Sequence, residues 1–85
     1  MDIQTKVRAF IVENFLFGDA TAMPANSASL IDNQIIDSTG VLELVGFIEE
    51  TFLVTVADSE IVPANLDSVD AIARYVSGKA ASIAA

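Results

Sequence analysis

Apolar positions along the chain fall into three stretches with the spacing of a helix. Ile3, Val7, Phe10, Ile11 and Phe15 recur at i, i+4, i+7, i+8 and i+12, which puts them on one face of an amphipathic helix. Asp2 is placed to cap its start, and Gly18 supplies a stop. A second stripe, Val41, Leu44, Val45, Ile48 and Phe52, opens after Asp37-Ser38, with Glu43, Glu49 and Glu50 falling mostly outside it. A third places Leu66, Val69, Ile72, Ala73 and Val76 on one face, with Asp67 or Ser68 as cap and Gly78 near the end.

The connections are less regular. Asp58-Ser59-Glu60 predicts the start of one short helical turn, ended or redirected by Pro63. Val54–Ala57 has the composition of a strand but no partner to pair with. Residues 17–36 form a long first connection whose centre, Ala20–Ser29, has the small and polar composition of a loop. Leu30, Ile31, Ile35 and Ile36 are expected to anchor its second half to the core. Loops longer than about 12–15 residues tend to carry function or to need such anchors. The fold expected is all-α: a small four-helix bundle of three longer helices and one short helix, with a long first loop. One domain is expected over residues 1–79, followed by a frayed tail over 80–85.

Charge narrows the choice of partner. Twelve acids against four bases give a net charge of −8, and every acid but Asp2 lies in residues 9–73, a span without Lys or Arg. Such a surface repels phosphate backbones and anionic lipid heads and attracts basic proteins, so nucleic acid is excluded as a partner. No apolar run approaches the roughly 18–20 residues needed to span a bilayer. The first residues lack the basic-then-apolar order of a signal peptide, and the absence of cysteine gives no sign of an oxidising compartment. A cytoplasmic, monomeric domain without membrane insertion is expected. Self-repulsion among the acids predicts that added salt or Mg²⁺ raises the melting temperature, which a thermal scan checks.

The residue types that are missing weigh against an enzyme. With no His and no Cys, the usual general base, the thiol nucleophile and the common transition-metal ligands are all absent. The twelve-residue span from Asp32 to Glu43 begins and ends on acids like a calcium loop. It fails because Gln34 and Ile36 occupy ligand positions and Asp37 stands where the sharp turn needs glycine. No metal is expected. A chain of this chemistry takes part in catalysis as a substrate or carrier.

Ser38 is the residue best placed for that role. At the first turn of the second helix, free N–H groups and the positive end of the helix dipole favour an attached anion. On the dipeptide alone, the reading to prefer is that Asp37 or Ser38 is an ordinary N-cap, one of the commonest features of helices. The flanking residues change that reading. Asp37-Ser38-Thr39-Gly40-Val41-Leu42-Glu43-Leu44-Val45, then Ile48-Glu49-Glu50-Thr51-Phe52, resembles the acyl carrier protein family. There the helix reads Asp-Ser-Leu-Asp-x-Val-Glu-Leu, with an acidic pair and a Phe further along. The resemblance continues through Asp58-Ser59-Glu60-Ile61 and Asp67-Ser68-Val69-Asp70-Ala71-Ile72, and covers most of residues 3–77.

That resemblance implies that a phosphopantetheinyl transferase moves 4′-phosphopantetheine from coenzyme A onto Ser38. An acyl or aminoacyl group is then held on the arm as a thioester. The arm would supply the sulfur that this chain lacks, and the transferase the base. It also implies a recognition surface of Asp37, Thr39, Leu42, Glu43, Glu49 and Glu50 for basic partners, namely the transferase, an acyl- or aminoacyl-activating ligase and acyltransferase-type enzymes. Complementary charge of this kind speeds encounter and sets orientation.

Two departures bear on the kind of carrier. Thr39 stands where the family usually has Leu, and Gly40 where it usually has Asp; Gly46 also replaces a bulkier apolar residue. The Asp-Ser-x-Gly form is similar to D-alanyl and other stand-alone aminoacyl carriers, which points to a specialised pathway rather than bulk fatty-acid synthesis. Gly40 is also expected to loosen the first helical turn. The alternatives are a housekeeping fatty-acid carrier and a non-carrier acidic module that binds a basic partner through Glu43, Glu49 and Glu50.

Overall fold

A computed structural model describes the backbone of residues 2–84 and the side chains of Asp2 to Lys79. Helix α1 spans Ile3–Phe15, α2 Ser38–Phe52, α3 Pro63–Leu66 and α4 Val69–Ala84, with 3-10 turns at Ala20–Ala22 and Asp58–Glu60. No strand occurs among the described residues, and no helix among them is long and apolar enough to cross a membrane. The all-α bundle with a long first loop is therefore as the periodicity predicts. Helix α4 is its axis, packed against α1, α2 and α3.

The first two helices start where expected. The Asp2 carboxylate accepts from the Thr5 amide at 2.7 Å, and Asp37 caps α2 in the same way. Val7 and Ile11 of α1, Leu44, Val45 and Ile48 of α2, and Val69, Ile72 and Val76 of α4 form the buried core. Along the α1–α2 seam the side chains are aromatic. Phe10 stacks on Phe47 at 4.2 Å between centroids, and Phe15 and Phe52 meet that pair edge-on. Lys6 lies 5.8 Å over the Phe52 ring.

Helix endings agree with expectation in part, Gly18 closing α1 as expected. The left-handed turn that ends α1 begins at Phe17 (φ 54°) and continues at Gly18 (φ 85°), whose amide closes on the Val12 carbonyl at 2.8 Å. Leu53 ends α2 in the same conformation (φ 56°). Both bulky residues are thus in a conformation that usually costs about 1–2 kcal/mol, and both are exposed to solvent. Gly78 does not end the last helix, whose backbone continues to Ala84. The frayed tail expected over 80–85 falls on residues whose side chains lie outside the described ones.

The second half departs most. The stretch read as one helix from Leu66 onward is two. Leu66 closes the four-residue α3, and Ser68 caps α4 by accepting from the Ala71 amide at 3.0 Å. Pro63 starts α3 rather than ending a turn, because a first-turn residue needs no N–H and its φ is already helical. The segment after α2 is extended, with Val54 and Val56 buried and Thr55 and Ala57 exposed. In the long loop, Leu30 and Ile36 are buried and Ile35 is half-buried, as expected of anchors, whereas Ile31 is 44% exposed.

Polar contacts tie these irregular segments to the helices. Arg8 donates from one guanidinium nitrogen to the Pro24 carbonyl at 3.0 Å and to Asn26 Oδ1 at 2.6 Å. Glu60 accepts from the Ala57 amide, from Tyr75 Oη at 3.1 Å and from Lys79 Nζ at 2.7 Å. The Lys79 ammonium, and then the Ala57 amide, hold the Glu60 carboxyl below its ordinary range. Burial, and then the Glu60 carboxylate, push the Tyr75 phenol up to about 12. A raised phenol keeps its proton when the unfolded chain has lost it, so this contribution is present below about pH 10 and lost as pH rises towards 12. Urea titrations across that range are expected to show falling stability, with a shallower fall in Tyr75→Phe.

Candidate functional site

The start of α2 brings together a capping carboxylate, a free hydroxyl and an apolar groove. Asp37 is extended, and its Oδ1 accepts from the Gly40 amide at 2.7 Å while its carbonyl accepts from Val41. Asp37, not Ser38, is therefore the cap. Ser38 is the first helical residue and is exposed, and its hydroxyl makes no hydrogen bond among the described residues. The first amides of a helix have no partner within it, and those of Ser38 and Thr39 make no hydrogen bond among the described residues. With the helix dipole they form a local positive potential on an otherwise acidic molecule.

Beside Ser38 runs a groove of about 500 Å³. Val41 and Leu42 of α2, the buried Leu30, Ile36 and Leu66, and Ile61 are among the apolar residues that line it. Its polar members are Asp37, Ser38 and Asp67. Leu42, 63% exposed, and Val62, 39% exposed, leave apolar surface uncovered at this groove.

Asp67 is the functional residue that sequence reasoning missed. Of the two caps expected, Asp67 or Ser68, Ser68 is the one that caps α4, and Asp67 ties the long loop to the start of that helix. Oδ2 accepts from Ser29 Oγ at 2.6 Å, Oδ1 accepts from the Ile31 amide at 2.8 Å, and its carbonyl accepts from the Leu30 amide at 2.7 Å. These contacts hold the loop side of the groove. No local signal marks them, since the partners lie 36 to 38 residues away.

The acidic residues divide. At about 100° per residue, Thr39, Leu42, Glu43 and Glu50 occupy one third of the helix circumference, and all four are exposed. Glu49 lies at the edge of the same arc, beside Leu42, but differs from them in burial and bonding. It is half-buried, and its Oε2 accepts from the Val56 amide at 2.9 Å, holding the extended segment after α2. The expected triplet of solvent-facing acids is thus a pair plus one acid with a structural task. Among the described residues, no group of three or more acids is arranged to hold a metal ion.

Gly40 has a packing reason. It is buried, and a Cβ there would lie 2.9 Å from Phe15 Cε1 and 3.3 Å from both Asp37 Oδ1 and Ile36 Cγ2. Gly46, six residues on in the same helix, would meet nothing within 4 Å. The same substitution is therefore expected to act with opposite sign. Gly46→Ala gains about 0.5–1 kcal/mol from helix propensity. Gly40→Ala loses about 1 kcal/mol, because displacing an aromatic ring and the capping carboxylate outweighs that gain. Chemical denaturation of the two variants checks both.

No family model matches the chain, and comparison with curated proteins gives no match either.

Proposed function

We propose that this protein is a cytoplasmic carrier that holds an acyl group as a thioester on 4′-phosphopantetheine attached to Ser38. The observation that carries the reading is the division of labour at the start of α2. Asp37 satisfies the helix end, which leaves the Ser38 hydroxyl exposed, unbonded and beside an apolar groove. A serine needed only as a cap would be engaged.

The residues fit the arm. The unpaired amides of Ser38 and Thr39 and the helix dipole favour the phosphodiester that attachment creates, and the groove offers apolar surface to the remainder of the arm and its cargo. In the attachment step the Ser38 oxygen bonds to the phosphorus bearing the pantetheine. The bond from that phosphorus to the bridging anhydride oxygen breaks, and adenosine 3′,5′-bisphosphate leaves. The hydroxyl proton passes to a base of the transferase, since this chain has no histidine to take it. When bound, the arm supplies the thiol.

The groove's lining favours an acyl cargo over an aminoacyl one. Its carboxylates are turned to structural hydrogen bonds, Asp37 to Gly40 and Asp67 to Ser29 and Ile31. Exposed Glu43 and Glu50, with Thr39 and Leu42 beside them toward the start of α2, form the surface offered to basic partners, namely the transferase, an acyl-activating ligase and acyltransferases. Intact mass after incubation with coenzyme A, Mg²⁺ and a broad-specificity transferase tests the reading. A gain of one phosphopantetheine is expected. A folded protein that gains nothing refutes it.

A further inference from the structure

Five large apolar side chains stand exposed among the described residues, and four of them lie at the Ser38 end of the molecule. Ile31, Leu42 and Val62 line the groove beside Ser38. Phe17 is the fourth and the most exposed, at 95%. It lies just past the end of α1, and that end abuts the first turn of α2. The Phe15 ring comes within 2.9 Å of where a Cβ on Gly40 would stand. The fifth, Leu53, follows α2 and so lies about 20 Å away along that helix.

Phe17 is held in a costly state that nothing inside the protein rewards. Its backbone is left-handed (φ 54°), where a bulky residue is strained and asparagine or glycine is far less so, and its ring is in water. A strained residue with no internal packing role points to a use outside the molecule.

We infer that Phe17 is a docking anchor for the transferase that modifies Ser38, received by an apolar pocket with Lys or Arg at its rim. This rests on the carrier reading and adds to it a contact away from α2. Reach selects the transferase. Its catalytic groups must come to the Ser38 oxygen itself, so its surface covers the residues around that oxygen, whereas an enzyme acting on the thiol works at the far end of the arm. A usual interface takes about 800 Å² from each partner. That is about one sixth of this protein's 4937 Å² surface, enough to span the adjoining ends of α1 and α2. Charge fixes the chemistry of the pocket. Exposed acids closely follow three of the four apolar residues, Asp19 after Phe17, Asp32 after Ile31 and Glu43 after Leu42. Apolar anchors within an acidic rim call for apolar pockets within a basic one. A second copy of the same face, or an anionic lipid surface, would set acid against acid.

The test measures kcat/KM for loading by the broad-specificity transferase in wild type, Phe17→Asn, Phe17→Leu and Leu53→Asn. Asparagine suits the left-handed backbone, so both asparagine variants are expected to melt higher than wild type. Phe17→Asn is nevertheless expected to lose about tenfold or more in kcat/KM, with the loss in KM. Phe17→Leu, which keeps apolar bulk, is expected to lose less. Leu53→Asn, which changes a similarly exposed left-handed residue at the other end of α2, is expected to lose nothing. A Phe17→Asn protein that loads like wild type overturns the inference, as does an equal loss in Leu53→Asn. A wild-type dimer that Phe17→Asn dissolves, with loading unchanged, would place a second copy on Phe17 and also overturns it. A folded wild-type protein that takes no arm overturns the carrier reading and this one with it, whereas a loaded wild type with unmoved variants overturns this one alone.

Discussion

Ser38→Ala is expected to remove the mass gain completely while leaving the unfolding free energy within about 0.5 kcal/mol of wild type. The two halves of that expectation have separate causes. Attachment needs the hydroxyl oxygen as the nucleophile, and alanine offers none. Stability does not need it, because the residue is exposed and Asp37 already caps the helix through Gly40. Asp37→Ala is the complement. It keeps the hydroxyl but removes the cap, which typically costs about 1 kcal/mol, and so it lowers the melting temperature. If Ser38→Ala still gained the arm, the assignment would fall. If it unfolded, Ser38 would be a structural residue, and the acidic interaction module would become the better description.

The legible parts of the fold are those decided locally. α1 and α2 each join an apolar stripe of helical period to an aspartate placed to cap it, and each begins where those signals put it. Ser38 is legible for the same reason, being fixed by the helix start. The illegible parts depend on partners distant in sequence. In residues 58–66 no period holds for a full helical turn, and Pro63 is compatible with either ending or starting one. In the long loop, adjacent apolar pairs cannot be assigned inward or outward without a regular period, so Leu30 and Ile31 look alike in sequence although one is buried and the other exposed. Gly40 looks like a weak helical residue because the Phe15 ring that excludes a side chain there belongs to another helix. Glu49 cannot be told from its neighbour Glu50 without the Val56 amide that lies against it.

Asp67 is where such distant contacts carry most energy, and Asp67→Ala is expected to be the most damaging polar substitution in the loop and its anchors. The carboxylate accepts two hydrogen bonds, one from a backbone amide and one from a hydroxyl. Bonds to a charged group are worth about 1.5–3 kcal/mol each when buried. The Ser29 contact is part-buried and the Ile31 contact is exposed, so about 2–3 kcal/mol for the pair is the reasonable scale. For a domain of this size that lowers the melting temperature by roughly 10–20 °C. Asp67→Asn separates charge from geometry. Its amide oxygen can still accept from the Ile31 amide, and its NH₂ can donate to a Ser29 hydroxyl that rotates to accept. Asn is therefore expected to recover more than half of the alanine loss, in thermal or urea unfolding. Equal losses in both variants would mean that the negative charge, not the clamp, holds the loop.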